Sequence, residues 1–211
     1  MTDVWTLVHA ERAALIEDLA GLTDEQWEQP SLCEGWTVHD VAAHLVGNAR
    51  SASPVGIVVA MVRAGFDFDR MNAVAVAQDR GATPAETLDR LREVASLTKG
   101  PGAPLDSRLV EEVAHGEDIR RPLGLSRSYP QEAVLRALAY QAHTWVGLGG
   151  AKQHVAGLRL VATDAGLGLG EGAEVRGPAV SLLLVASGRT VALDDLSGPG
   201  VGTLAARLSG R

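Results

Sequence analysis

Through most of the first 150 residues, apolar side chains recur at helical spacing between cap and turn signals, a periodicity that a half-buried strand cannot accommodate. In residues 3 to 20, Val4, Leu7, Val8, Ala14, Leu15 and Leu19 form one stripe among charged neighbours, as expected of a helix facing a bundle core. Hydrophobic residues make up 46% of the chain but aromatics only 4%, so the core must be built on Ala, Leu and Val. Small side chains of this kind favour close helix packing.

Local signals divide the remaining helical stretch. Thr23 and Gln26 have capping-box spacing, opening a short turn at Asp24 to Trp27. A loop from Gln29 to Trp36 carries proline, cysteine and glycine, and Thr37 with Asp40 then caps a helix predicted to run to about Arg50, with His44 in its middle. Residues 54 to 79 form a longer apolar-rich segment opened by Pro54. Thr83, Pro84 and Glu86 supply a cap, a first-turn proline and an acid for a helix to about Thr98. A loop is expected at Lys99 to Pro104, then a helix from about Ser107 to Arg120 ended by Pro122, and a last bundle helix from about Pro130 to Val146. Glycines 147, 149 and 150 stop that helix and open a linker.

Beyond the linker the pattern changes. LRLVATD, residues 158 to 164, alternates and is rich in β-branched residues, which predicts a strand. GPAVSLLLVASG reads as an apolar helix begun by a proline, TVALDDLSG as a second short strand or turn, and residues 201 to 208 as a closing helix. The expectation is a mainly α protein, with a helical bundle over residues 1–150 and a small α/β domain over 155–211. So small a domain does not easily hold a core alone, and it is expected to pack on the bundle and shape the mouth of a pocket.

A net charge of −7 without any Lys/Arg cluster argues against a nucleic-acid partner, because binding phosphates needs a basic face. No run of about 18 uncharged apolar residues is present, which predicts no membrane span, and MTDVWTLVHAER lacks the layout of a signal peptide. The single cysteine, Cys33, rules out an internal disulfide framework and fits a reducing compartment, so a cytoplasmic location is expected.

The residues that suggest chemistry are His44 and the Glu-x-x-x-His pair Glu111 and His115. Residues four apart on a helix share a face, with Cβ atoms roughly 6 Å apart. Glu111 and His115 can therefore grip one ion if a third ligand faces them, and His44 can supply it. Two imidazoles and one carboxylate leave a divalent ion an open position, the layout of a catalytic zinc site. The same spacing is also common in solvated surface pairs, and Glu112, three before His115, is a geometric rival to Glu111.

The run PSLCEGWTVHDVAAHL at 30 to 45, followed by EEVAHGEDIRRPLG at 111 to 124, resembles the mycothiol-dependent maleylpyruvate isomerase family of the DinB-like superfamily. ERAALIEDLAGLTDEQW at 11 to 27 resembles the family's first helix, and VRGPAVSLLLVASGR at 175 to 189 its small C-terminal domain. Most of the chain is covered, with residues 50 to 105 alike in pattern more than in motif. The resemblance implies a DinB-like four-helix bundle with a small α/β domain after it. It also implies His44, Glu111 and His115 as ligands of a divalent metal, and it selects Glu111 over Glu112. Zinc suits the nitrogen and oxygen donors best, with nickel or manganese as alternatives.

What the resemblance implies about activity follows from that ion. Mycothiol would be the cosubstrate, activated as a metal-bound thiolate for cis–trans isomerisation or for S-transfer to a small electrophile. An arginine of the C-terminal domain would assist, with Arg189 preferred over Arg176 because it follows the apolar helix. The alternative is a non-catalytic protein of the same fold that binds a metal or small ligand.

Other polar residues have plainer expectations. His39 lies about 140° around the helix from His44 and is expected to be solvated or capping. Asp40 shares the face of His44 and is read as the acid of the cap in preference to a partner for the imidazole. Cys33 is read as a small buried residue, Trp27 and Trp36 as core and loop anchors, and Arg120 and Arg121 as complements of a helix C-terminus in preference to substrate ligands. For His143, on the last bundle helix, a pocket-lining role and an ordinary polar contact stand level.

Overall fold

The structure, a computed structural model, describes residues 1–50, 54–65, 67–99 and 103–210. Its helices are α1 (Val4–Ala20), α2 (Asp24–Trp27), α3 (Val38–Arg50), α4 (Pro54–Arg63), α5 (Phe68–Asp79), α6 (Pro84–Val94), α7 (Asp106–Arg120), α8 (Gln131–His143), α9 (Ala179–Ala186) and α10 (Val201–Ser209). Its strands are β1 (Leu158–Ala162), β2 (Leu167–Leu169) and β3 (Ala173–Gly177). The protein is mainly helical with a small sheet near the C-terminus, the expected fold class, and the sheet has three strands. No helix among the described residues is long and apolar enough to cross a membrane.

Two compact units divide the chain. The first comprises Met1, Asp3–Leu105 and His115–Arg127; the second comprises Thr2, Asp106–Ala114 and Ser128–Arg211. Helix α7 is continuous and contributes its first half to one and its last turns to the other.

In the first unit, the core gathers Leu15, Ile16 and Leu19 of α1, Val41, Leu45 and Val46 of α3, and Leu88 and Leu91 of α6, together with Trp27 and Ile119. Side-chain caps start these helices, at Thr23 and Thr83 where the sequence predicts them and at Asp3 in addition. Asp3 accepts the Thr6 N–H for α1, Thr23 and Gln26 form a reciprocal capping box for α2, and Thr83 accepts the Glu86 N–H for α6. At α3, Thr37 and Asp40 exchange the same pair of bonds, with Asp40 Oδ2 2.9 Å from the Thr37 nitrogen. Asp40 is thus the acid of the cap, and its other oxygen takes the Arg80 guanidinium.

The 54 to 79 segment is two helices, α4 and α5. Part of the loop expected at Lys99 to Pro104, residues 100 to 102, lies outside the described residues. A turn after α8 ends at Gly149, whose φ of +81° only glycine adopts readily.

His39 departs from the expectation of a solvated side chain. It is 2% exposed, with Nε2 2.7 Å from Thr87 Oγ1 and Nδ1 3.3 Å from Glu28 Oε1. A carboxylate only accepts, so Nδ1 carries the proton and the Thr87 hydroxyl donates to Nε2. Burial lowers the pKa of His39 below the ordinary 6.5, and the Arg80 charge adds to this against the opposing pull of Glu28 and Asp40.

Because the unfolded chain takes the proton first as pH falls, the stability this neutral histidine sustains is complete above about pH 6.5 and is lost as pH drops toward the lowered folded value. The urea midpoint is expected to fall between about pH 7.5 and pH 5, and a His39→Gln variant to show a shallower fall. Parallel pH profiles for parent and variant would contradict this account.

In the second unit, β1 pairs antiparallel with β2 and parallel with β3, giving the order β2-β1-β3. Leu158, Leu160 and Ala162 of β1 and Val175 of β3 are buried, and the apolar α9 packs on both strands and on α8. The predicted strand at LRLVATD, the apolar helix and the closing helix are all present. TVALDDLSG differs: residues Thr190–Asp195 form a 3-10 helix, and Ser197 alone bridges to Arg176 of β3. Strands β2 and β3 went unread in the sequence because a three-residue strand and the charged AEVRG carry no apolar alternation to read.

Candidate metal centre

His44 stands in the middle of α3, half-buried where Val41 and Leu45 are core, and its ring lies beside that of Trp36, with centroids 5.3 Å apart. Asn48, one turn later, places its side-chain nitrogen 3.3 Å from His44 Nε2. His115 on α7 meets His44 edge to face, centroid to centroid 4.7 Å. Glu111 sits one turn before His115 on the same helix, so α7 itself sets the spacing of that pair. One donor atom each from His44, Glu111 and His115 lies within 4.8 Å of the other two, and all three residues are half-buried. The rival Glu112 is buried and stands outside this group.

A second group shares His115. Cys33 Sγ is 3.0 Å from Asp118 Oδ2, His115 Nδ1 is 2.8 Å from the same oxygen, and Sγ and Nδ1 are 3.8 Å apart. Ligands at about 2.0 Å (N, O) or 2.3 Å (S) from a tetrahedral ion stand roughly 3.2–3.6 Å apart. Two of the three separations are shorter and belong to hydrogen bonds. In the trio of His44, Glu111 and His115 the three donor atoms all lie within 4.8 Å of one another, and two nitrogens with one oxygen are a donor set that fits zinc.

Cys33 was expected to be a small packing residue. It does pack against the helical core, but it also contacts Asp118 and His115. Asp118 was missed altogether. The one available signal was its position three residues after His115, on the same helical face.

The arginines at the end of α7 are structural, in keeping with the order of expectation, though not as simple helix-end charges. Arg120 is buried, with Nε 2.6 Å from Asp18 of α1, and Arg121 pairs with Glu117 at 2.9 Å. Trp27 is core, as expected.

In the second unit His143 is exposed, and its Nδ1–H donates to the Ala139 carbonyl at 2.7 Å. Arg176 is exposed on β3, ion-paired with Glu174 at 2.8 Å, and lines with Arg159 a shallow depression of about 320 Å³ on the sheet. Arg189 is half-buried just after α9, where Nη1 donates to the Ser187 carbonyl at 2.6 Å.

Fold and site together define a mainly helical protein with a small three-stranded sheet and a His, His, Glu donor group. Residues 8–100 match the model of the mycothiol maleylpyruvate isomerase N-terminal domain. A crystal structure of the mycothiol-dependent maleylpyruvate isomerase is similar to this chain with a TM-score of 0.64 at 17% identity, covering 93% of this chain and 91% of that one. A point mutant of the same enzyme has the same TM-score and coverage at 16% identity. At such identities the likeness establishes the shared fold. No protein of curated function matches the chain in sequence.

Proposed function

We propose that this chain is a divalent-metal- and mycothiol-dependent enzyme that isomerises a cis double bond conjugated to a carbonyl, or transfers the thiol to a small electrophile. The observation that carries the reading is the convergence of His44, Glu111 and His115, half-buried residues whose donor atoms lie within 4.8 Å of one another. The match of residues 8–100 to the mycothiol maleylpyruvate isomerase N-terminal domain supports the thiol as cosubstrate.

The three residues would hold one ion, zinc by donor type, which when bound lowers the pKa of a water or thiol that it coordinates. The chain's own groups supply the rest. His44 and His115 present neutral imidazole nitrogens, Glu111 offsets the ionic charge, and Trp36 walls one side of His44. Thiolate addition to the double bond would leave a single bond free to rotate, and expulsion of the thiolate would restore the double bond in trans. With a leaving group on the electrophile, the same attack would end in S-transfer.

Negative charge develops on the substrate carbonyl during addition, and a C-terminal arginine would stabilise it. Arg189→Ala is expected to lower turnover by on the order of 10²-fold with metal content unchanged, the loss typical of one electrostatic donor. Arg176→Ala should do less, because Glu174 already compensates that charge. Full activity in both variants would remove the C-terminal arginines from the mechanism.

The decisive test is turnover with mycothiol: maleylpyruvate first, then a panel of electrophiles. Metal and thiol binding without turnover of any of them would favour instead a non-catalytic binding protein of the same fold.

A further inference from the structure

We infer that Asp118 is a positioning residue of the metal centre: its carboxylate sets the tautomer and orientation of His115, and the Cys33 thiol holds that carboxylate in place. The inference rests on the ligand role proposed for His115. Asp118 is 0% exposed, at a depth where an ionised carboxylate is costly unless donors surround it. Two donors converge on one of its oxygens, His115 Nδ1 at 2.8 Å and Cys33 Sγ at 3.0 Å.

A carboxylate can only accept, so His115 carries its proton on Nδ1 and keeps the Nε2 lone pair for an ion. The bond to Asp118 also stops the imidazole from turning about its χ2 axis, so the nitrogen is aimed before any ion arrives. Cys33 comes from the loop before α3, and the same loop is fastened to α7 where the Leu32 N–H donates to the Asp118 carbonyl at 3.1 Å. Side chain and backbone of one residue thus tie the His44-bearing helix's lead-in loop to the His115-bearing helix.

The test uses the full chain and two readouts apart from activity: zinc affinity by competition with a chelating dye, and the His115 tautomer by long-range proton–nitrogen NMR of the metal-free protein. The parent is expected to show the Nδ1–H form. Asp118→Ala should shift His115 toward the Nε2–H form usual in water and weaken zinc binding by about 10- to 100-fold, the cost of losing an outer partner of a metal histidine.

Asp118→Asn is isosteric and carries the test if the alanine variant does not fold. Its amide oxygen still accepts, so it should keep much of the tautomer preference and fall between the two in affinity. Cys33→Ser retains a donor and should match the parent. Parental tautomer and parental affinity in both Asp118 variants would overturn the inference. A parent that binds no zinc would overturn the proposed function instead, and the tautomer measurement would still decide whether Asp118 orients His115.

Discussion

A His115→Ala protein, purified without chelator alongside the parent, is expected to contain no stoichiometric divalent ion, where the parent carries close to one per chain. Three protein ligands are the number a catalytic zinc site uses, so removing one leaves two donors and an exchangeable ion. Turnover should fall by on the order of 10²- to 10⁴-fold, the range seen when an element that activates the nucleophile or stabilises charge is removed. His44→Ala and Glu111→Ala should behave alike, because each supplies one of the three donor atoms that lie within 4.8 Å of one another. Elemental analysis of the three variants reads the result directly. Full occupancy in Glu111→Ala together with loss in Glu112→Ala would mean that the carboxylate has been assigned to the wrong residue.

The second large effect is on stability and lies one residue after His44. Leu45 follows His44 on α3, about 100° around the helix, and lies in the core with Leu19, Trp27, Val41 and Leu91 at 2% exposure. Leu45→Ala removes buried apolar surface and leaves a cavity that its neighbours fill only in part, so the expected loss is about 2–5 kcal/mol of unfolding free energy. For a protein of ordinary marginal stability that is a large share of the total. Urea denaturation followed by circular dichroism would measure it, and zinc content below the transition should match the parent. A loss under about 1 kcal/mol would show that α3 is not packed as described. The pair of adjacent substitutions separates what α3 does for the fold from what it does for the site.

Much of the helical region was legible because its determinants are local. Thr23, Thr37 and Thr83 each satisfy a backbone N–H within three residues, and such bonds form wherever the chain is helical. The apolar stripe of α1 and the charge that interrupts it are likewise readable along one helix. Errors arose where a neighbour distant in sequence decides the outcome. His39 looked like a surface residue because its partner Thr87 lies 48 positions away. The stretch after Arg189 reads as a short strand or turn, and Thr190–Asp195 wind into a 3-10 helix that leaves Ser197 to bridge β3. Strand β3 was invisible because pairing with β1, not its own AEVRG composition, makes it a strand.

At the candidate centre the same division holds. One turn of α7 separates Glu111 from His115, so their shared face follows from the sequence alone through helix geometry. That His44 faces them, 67 residues upstream of Glu111 and 71 upstream of His115 by position number, required the packing of α3 near α7, which no spacing rule encodes. The choice of Glu111 over Glu112 came from family resemblance, and the geometry leaves Glu112 buried outside the group. The contact of Cys33 with Asp118 was beyond sequence reading altogether, since an i, i+3 acid near a histidine is commonplace until a third residue from another element closes on it. Sequence by itself determined the helices, their caps and which side chains could act as ligands, because those depend on backbone bonds and short-range periodicity. Only the tertiary structure decided which of those side chains meet, because meeting depends on how buried surfaces pack across the whole chain.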